Sequence, residues 1–165
     1  MTRAPGIDKL GQPFLIRAYR VGDRAALDGM FDDFDPKRAA QGLPPGDPVL
    51  RTRWLDRVLA AGHHLVVERA GRVLGHGMLL PFGDGRAELA NFLHQSIRDR
   101  GIGTALNRAL LDVARENGIR GIWLSVEPSN RRAVRSYEKV GFRRRAVTAW
   151  SPELEMEIDL AMMSG

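Results

Sequence analysis

A short loop from Arg98 to Thr104, with the sequence Arg-Asp-Arg-Gly-Ile-Gly-Thr, holds the residues best suited to bind an anion. It runs directly into an apolar repeat of helical spacing, so its glycines stand at the start of a predicted helix. Backbone N–H groups at a helix start attract anions, and glycines let a phosphate approach them closely, while Arg98 and Arg100 add positive charge. The loop equally fits an ordinary strand-to-helix turn, because it lacks the third glycine of a dinucleotide fingerprint and the Gly-Lys-Ser/Thr ending of a P-loop.

A second polar segment runs from Asn130 to Phe142. Asn130 is a predicted N-cap and Gly141 a predicted helix stop, so the residues between them form a short helix. Helical spacing places Ala133 and Tyr137 on the same face as Asn130. A tyrosine on such a face either packs into the core or presents its hydroxyl to a site.

Several kinds of chemistry are excluded by composition. The chain has no cysteine, which removes disulfides, thiolate metal sites and a cysteine nucleophile. The four histidines show no His-x-x-x-His spacing, so no metal site is predicted. No segment approaches the roughly 18 apolar residues that cross a bilayer, so we expect a soluble, cytoplasmic protein without a membrane partner.

Positive charge is concentrated in one stretch of the chain. The net charge is +5, but the window from Arg98 to Arg145 carries twelve Arg or Lys and five acids, which gives +7 there and −2 elsewhere. This asymmetry predicts an anionic partner for that window.

The elements that must position these residues read as one α/β domain. With 165 residues, 44% of them apolar, the chain fits a single domain over 1–165 with its core at about 14–162. Periodicity predicts a strand, two helices, an antiparallel meander of three strands, a helix, a strand, a helix and two strands. In order these lie at 13–19, 22–34, 47–62, 64–69, 72–82, 87–94, 102–117, 121–126, 130–140, 142–150 and 153–162.

Both polar segments resemble one family. Arg98 to Gly103 resembles the Gln/Arg-x-x-Gly-x-Gly/Ala signature of the GNAT superfamily of acyl-CoA-dependent N-acetyltransferases, which also lies between an apolar strand and a helix. Val126 to Phe142 resembles the family segment in which an Asn begins a helix, a Tyr follows seven residues later and Gly-Phe closes it. The order of elements agrees over about residues 14 to 162. The chain is therefore identified as a member of that superfamily.

The resemblance implies a mixed, twisted sheet of six to seven strands with about four helices, splayed between its fourth and fifth strands, here 87–94 and 121–126. Acetyl-CoA then lies in the split, with its pantetheine paired to the strand end at Leu93 and His94. Asn130 and Ala133 line the pantetheine, and Tyr137 lies near the sulfur. The pyrophosphate rests on the amides of the loop residues Arg98, Asp99, Arg100, Gly101, Ile102, Gly103 and Thr104.

The implied reaction is transfer of an acetyl group to a primary amine by direct attack in a ternary complex, without a metal. Tyr137 is the candidate general acid, and a backbone N–H near Leu93 or His94 is the candidate oxyanion donor. Glu88, where several small-molecule enzymes of the family carry a glutamate, is the candidate general base, although a strand-end glutamate in solvent fits equally well. His94 acting through a water is an alternative base.

The acceptor is left open by the sequence. The family builds the acceptor site from the first two helices and the last strands, and acids in these regions suit a cationic amine or form a solvated face. They are Asp23, Asp28, Asp32, Asp33, Asp35, Glu153, Glu155 and Glu157. Phe31, Phe34 and Trp54 favour the core, and the stretch 43–48 is either a lid or a connection. The partner is a small-molecule or peptide amine, and the family often forms homodimers.

Two functions of other classes remain. A domain of this kind can bind acyl-CoA as a sensor without turning it over. A nucleic-acid binder is suggested by Arg131, Arg132, Arg135 and the arginines at 143–145. Against it, aromatic residues make up only 7% of the chain, and that function leaves the glycine loop unexplained.

Overall fold

The computed structural model describes residues 3–35, 44–145 and 152–161. Four α-helices lie in these ranges: α1 Arg24–Asp32, α2 Pro48–Leu59, α3 Ile102–Glu116 and α4 Arg131–Lys139. The described strands are β1 Arg3–Ile7, β2 Pro13–Ala18, β3 His63–Arg69, β4 Arg72–Pro81, β5 Arg86–Leu93, β6 Gly121–Val126, β7 Arg143–Arg144 and β8 Leu154–Asp159. Short 3₁₀ turns at 21–23 and 95–97 precede α1 and follow β5.

Local signals begin and end the helices much as predicted. The Asp47 carboxylate accepts the Leu50 N–H at 3.0 Å at the start of α2, and Pro48 occupies the first helical position. Asn130 accepts the Ala133 N–H at 3.3 Å and so caps α4. Asp23, for which the sequence also predicts an N-cap, occupies that position at the start of α1, but its side chain makes no capping bond, because both of its oxygens accept from the Arg17 guanidinium at 2.8 Å.

The strands form one sheet in the order β1-β2-β3-β4-β5-β6-β8-β7. Every neighbouring pair is antiparallel except β5 and β6, which are joined through α3 and run parallel. Their register covers only Arg86 with Gly121, Ala87 with Ile122 and Glu88 with Trp123. Beyond Glu88 the two strands separate, which confirms the predicted splayed sheet and opens a cleft between their carboxyl ends.

The edges of the sheet differ from the prediction. The sequence pattern places the first strand at 13–19 and predicts no element before it, yet β1 precedes it, so the described residues form eight strands rather than six to seven. The pattern missed β1 because it is an edge strand with alternating exposed positions and a proline. The strand predicted at 142–150 is only Arg143–Arg144 among the described residues, and residues 146–150 lie outside them. The sequence also suggests one turn of helix at 37–41, and those residues likewise lie outside the described ones.

Each face of the sheet carries its own hydrophobic core. Helices α3 and α4 cover one face with a core that includes Leu106, Leu110, Ile122, Leu124 and Val134. Helices α1 and α2 cover the other with Leu27, Phe31, Leu55, Met78 and Phe92. We call these the α3–α4 face and the α1–α2 face. Since side chains of β5 alternate between the two faces, this one strand contributes to both.

Candidate active site

The glycine loop presents backbone N–H groups at the start of α3. Gly101 is the N-cap, with φ of +82°, and no side chain caps the helix there. The first bond of the helix runs from the Ala105 N–H to the Gly101 carbonyl at 3.3 Å. The N–H groups of residues 102–104 therefore have no carbonyl within the helix to bond. Together with the positive end of the helix dipole, they form a seat for an anion.

Both glycines of the loop stand where an added side chain would contact a neighbouring residue. A Cβ at Gly101 would lie 3.4 Å from Cε of Lys9, and its positive φ is one that other residues adopt only with strain. A Cβ at Gly103 would lie 3.4 Å from Cδ1 of Leu93, at the tip of β5. The loop thus packs against the end of β5 without side chains covering its N–H groups.

The side chains of the loop arginines contact other parts of the chain, whereas the sequence favoured contacts with an anion. Arg98 Nε donates to the Leu93 carbonyl at 3.0 Å, another of its nitrogens donates to the Asp35 carbonyl, and its guanidinium carbon lies 5.1 Å from the centre of the Phe34 ring. Burial lowers the pKa of Arg98. Arg98 therefore fastens the end of β5 to the segment after α1. The expected charge-assisted contact of its side chain with a phosphate stays a prediction.

The other two charged residues of the loop also have partners. Arg100 Nη1 lies 3.5 Å from Asp8 Oδ2, and Asp99, which has φ of +63°, is paired with Arg132. Asp99 is thereby neutralised beside the anion seat. The loop therefore offers its backbone N–H groups, rather than these charged side chains, to an anion.

The end of β5 offers one of the two predicted oxyanion donors. The His94 N–H donates to the Leu74 carbonyl at 2.9 Å, so it is directed toward β4. Antiparallel pairing alternates, and the Leu93 N–H therefore faces the cleft beside β6. The His94 ring is also occupied, since Nδ1 lies 2.7 Å from Ser96 Oγ and Nε2 lies 2.8 Å from Asp33 Oδ2. Of the two predicted oxyanion donors, the Leu93 N–H therefore remains a candidate and the His94 N–H does not. His94 instead connects the end of β5 to β4, Ser96 and Asp33.

Tyr137 lies on the inner face of α4, only 7% exposed, with its ring centre 5.7 Å from that of Phe142. It packs in the core and still has a polar partner, because its hydroxyl is hydrogen-bonded to the Asn91 side chain of β5. Burial raises the pKa of Tyr137 to about 12, although the Asn91 hydrogen bond acts in the opposite direction. The phenol therefore stays protonated at neutral pH. Tyr137 can thus pack in the core and also present its hydroxyl to a site, which were alternatives in the sequence analysis.

A chain of polar side chains continues inward from Tyr137, and the sequence analysis missed it. Asn91 donates to Asn107 Oδ1, and Asn107 Nδ2 donates to Ser136 Oγ at 3.0 Å. Ser136 Oγ lies 3.0 Å from Thr104 Oγ1, at the start of α3. Asn107 is 1% exposed, and a lone asparagine on the buried side of an apolar helix was the available signal. The chain connects the anion seat to the Tyr137 hydroxyl.

Glu88 lies on the opposite face of β5 from Asn91. Its side chain shares the α1–α2 face with those of Ala90 and Phe92. Burial raises the pKa of Glu88, and the nearby Glu153 raises it further. The half-buried carboxylate is thus a stronger base than an ordinary glutamate, and the interpretation as a fully solvated residue does not hold. Glu88 therefore projects from β5 onto the α1–α2 face, whereas Tyr137 contacts β5 from the α3–α4 face.

Most of the acids proposed for an acceptor have a basic partner, and several are nevertheless exposed to solvent, as the solvated-face interpretation requires; the Asp32 side chain, for example, is 63% exposed. Besides the pairs of Asp23 and Asp33 given above, Asp28 lies 3.2 Å from Arg24, Asp32 pairs with Arg51, Glu155 lies 3.3 Å from Arg145, and Glu157 lies 3.4 Å from Arg145. Phe31 and Phe34 are buried, and Trp54 packs against the same core, as predicted. The stretch 43–48 includes the start of α2 at Pro48, and its residue 43 lies outside the described chain.

His64 of β3 and His76 of β4 form a pair of adjacent rings. His76 is fully buried, its Nε2 lies 3.0 Å from His64 Nδ1, and His64 is partly buried. Burial lowers the pKa of His76 to about 3 and also lowers that of His64. Both are therefore neutral at pH 7. Within residues 3–35, 44–145 and 152–161 no three His, Asp or Glu side chains are grouped to hold a metal, and no helix could span a bilayer.

Sequence comparison finds relatives of one kind. The model of the acetyltransferase (GNAT) family matches residues 27–142. An uncharacterized N-acetyltransferase of Mycobacterium tuberculosis is 30% identical over 100 residues, which are 60% of this chain and 64% of that protein. A counterpart from Mycobacterium bovis matches to the same extent. The alignment thus spans less than two thirds of the length of these curated relatives.

Solved structures share the fold. The GNAT domain of S. lividans PAT superposes with a TM-score of 0.83 at 20% identity, over 96% of this chain and 97% of that one. The structure of yncA from Salmonella typhimurium, determined with its cofactor acetyl-CoA, has a TM-score of 0.70 at 22% identity, over 89% of this chain and 94% of that one. RimJ of Mycobacterium smegmatis, in complex with CoA-disulfide, has a TM-score of 0.73 at 18% identity, over 100% and 90%.

Proposed function

This chain belongs to the GNAT family of acetyltransferases, and from that premise we propose that it transfers the acetyl group of acetyl-CoA to a primary amine by direct attack in a ternary complex. The observation that carries the proposal is the anion seat at residues 102–104, which borders the cleft where β5 and β6 separate. Two titratable groups lie on the two faces of β5: Tyr137 on the α3–α4 face and Glu88 on the α1–α2 face. A seat, a cleft and two titratable groups are what such a reaction requires.

The seat and the cleft fit the two ends of acetyl-CoA. Three N–H groups at a helix start match a pyrophosphate in charge and geometry. The Leu93 N–H, which faces the cleft, matches an amide carbonyl of the pantetheine or the carbonyl that reacts. Asn130 uses its Oδ1 to cap α4, which leaves its NH2 group to donate to the same arm. When bound, acetyl-CoA supplies an acetyl group activated as a thioester.

The residues of the chain then divide the proton transfers between the two faces of β5. Glu88 removes a proton from the amine, either directly or through a water, and its raised pKa favours that task. As the C–N bond forms, the Leu93 N–H stabilises the negative charge on the carbonyl oxygen. As the C–S bond breaks, the Tyr137 hydroxyl donates to the sulfur. The products are an N-acetylated amine and the free thiol of CoA.

A thiol-release screen of acetyl-CoA against a panel of amines tests this proposal, with thermal stabilisation by acetyl-CoA measured in parallel. Release that depends on one class of amine, together with stabilisation, is the expected result. Stabilisation without release for any amine would contradict catalysis and favour the sensor function. A protein that is neither stabilised nor active would contradict the acyl-CoA site itself.

A further inference from the structure

The hairpin of β1 and β2 precedes residues 27–142 that match the family model, yet its turn touches the anion seat. The Lys9 N–H donates to the Arg100 carbonyl at 3.0 Å, and Asp8 Oδ2 lies 3.5 Å from Arg100 Nη1. The turn is therefore attached by its backbone to the loop that begins α3.

The turn itself is held firmly. The buried Asp8 carboxylate accepts the N–H groups of Leu10 and Gln12, each at 2.9 Å, and lies 2.6 Å from Arg69 Nη2 on β3. Burial alone would raise the pKa of Asp8, but the hydrogen bonds from Gln12, Arg69 and Leu10 lower it to about 2. The carboxylate thus stays charged, and the turn keeps one position relative to both the sheet and the loop.

The Lys9 side chain lies across the N-cap of α3. Its Cε and Cγ are 3.4 Å and 3.6 Å from the place that a Cβ of Gly101 would occupy. Lys9 is exposed and has no ion-pair partner within the part of the chain that the structure describes. Asp99 and Arg100 of the loop have such partners, and Arg98 donates to carbonyls. An unpaired ammonium group therefore lies beside three unbonded N–H groups.

We propose that Lys9 is a ligand of the acyl-CoA pyrophosphate, so that the amino-terminal hairpin forms a wall of the cofactor site. This inference rests on the proposed function, because it needs acyl-CoA at the α3 loop. A lysine ammonium serves as a compact point charge for phosphate, and the backbone seat supplies the directional hydrogen bonds. The contact adds to the seat from an element outside the family match.

Titration calorimetry with Lys9→Ala, Lys9→Arg and Lys139→Ala tests the proposal. Lys139 is the matched control, because it is an exposed lysine at the far end of α4 and its loss removes the same charge. The ligands are CoA and dephospho-CoA, which lacks the 3′-phosphate and keeps the pyrophosphate. We expect Lys9→Ala to raise the Kd of both ligands by about tenfold, the usual effect of one charged hydrogen bond. Lys9→Arg and Lys139→Ala should stay within about threefold of wild type.

Each other outcome overturns a different statement. Wild-type affinity in Lys9→Ala, or equal weakening in Lys9→Ala and Lys139→Ala, would overturn the role of Lys9 and leave the proposed function standing. If Lys9→Ala raised the Kd of CoA but not that of dephospho-CoA, Lys9 would be assigned to the 3′-phosphate instead of the pyrophosphate. A wild-type protein that binds neither ligand would instead contradict the proposed function. Unfolding temperatures without ligand should match in all variants, because the Lys9 side chain is exposed.

Discussion

The two faces of the sheet handle polar groups in opposite ways. On the α3–α4 face, the seat at residues 102–104, the chain from Thr104 to Asn91 and the Tyr137 hydroxyl form one connected set, held by hydrogen bonds between neutral groups. On the α1–α2 face most acids are neutralised by arginines, and Glu88 has another acid as its neighbour. Under the proposed function, the first arrangement would bind one fixed ligand. The ion pairs of the second would mainly stabilise the fold and leave few charges to recognise an amine.

Tyr137→Phe is the sharpest test of the α3–α4 face. Removing the hydroxyl deletes the donor to the leaving sulfur and keeps the buried ring, so kcat should fall by about 10²- to 10⁴-fold. The Kd of acetyl-CoA should change by less than about threefold, because the ring still fills its place in the core. Rapid-quench thiol release and calorimetry measure the two quantities. Turnover at the wild-type rate would remove Tyr137 from the mechanism.

Glu88→Gln tests the role of the opposite face. If Glu88 is the base, its raised pKa predicts that the wild-type activity falls in acid at a pH above the ordinary glutamate value. The amide cannot accept the proton, so we expect kcat/KM at pH 7 to fall by about 10²-fold and the optimum to move to higher pH, where the amine is already neutral. Acetyl-CoA affinity should be unchanged. A pH profile that keeps its acid limb would contradict Glu88 as the base.

The contrast between the faces also explains what the sequence could predict. The α3 loop, the Asn130 cap and the meander depend on neighbours within a few residues, so periodicity, glycines and capping residues indicate them. The direction of Arg98 depends on Asp35 and Phe34, the polar chain joins β5, α3 and α4, and β1 exists because it pairs with β2. Such long-range pairings leave no periodic pattern. The split in the sheet was predicted from the family resemblance, because the sequence patterns of β5 and β6 do not indicate it.

Gly103→Val separates ligand recognition from helix formation. The new side chain would press on Leu93 and stand among the unbonded N–H groups, so stabilisation by acetyl-CoA should be lost. At a ligand concentration of 100 Kd that stabilisation is about 2.7 kcal/mol for the wild type. Gly29→Val is the matched control, since it makes the same change within α1, where an added Cβ meets nothing within 4 Å. Thermal scans with and without ligand should show the loss only at residue 103; retained stabilisation would contradict the seat.

Asn107→Ala interrupts the polar chain behind Tyr137. It removes one buried hydrogen-bond partner from each of the Asn91 and Ser136 side chains, which should lower the free energy of unfolding by about 1–3 kcal/mol. Because Asn91 also contacts the Tyr137 hydroxyl, kcat should fall as well. Asn117→Ala is the control at the C-cap of the same helix, where the asparagine side chain donates to the Val113 carbonyl at 2.8 Å. It should reduce stability without changing kcat; equal kcat values for the two variants would make the chain merely structural.

Asp23→Asn asks whether the acids of the α1–α2 face stabilise the fold rather than bind the acceptor. The hydrogen bond from Arg17 lowers the pKa of Asp23 below its ordinary 3.8, so the folded state binds its proton less readily than the unfolded chain. Its stabilising effect is therefore complete above pH 3.8 and is lost as the pH falls below that value. The variant should lose about 1 kcal/mol at pH 7 and less in acid, since Arg17 keeps Glu68 as a partner at 2.8 Å. Denaturant unfolding at pH 7 and pH 3 measures this, and a raised KM for the amine with unchanged stability would instead assign Asp23 to the acceptor.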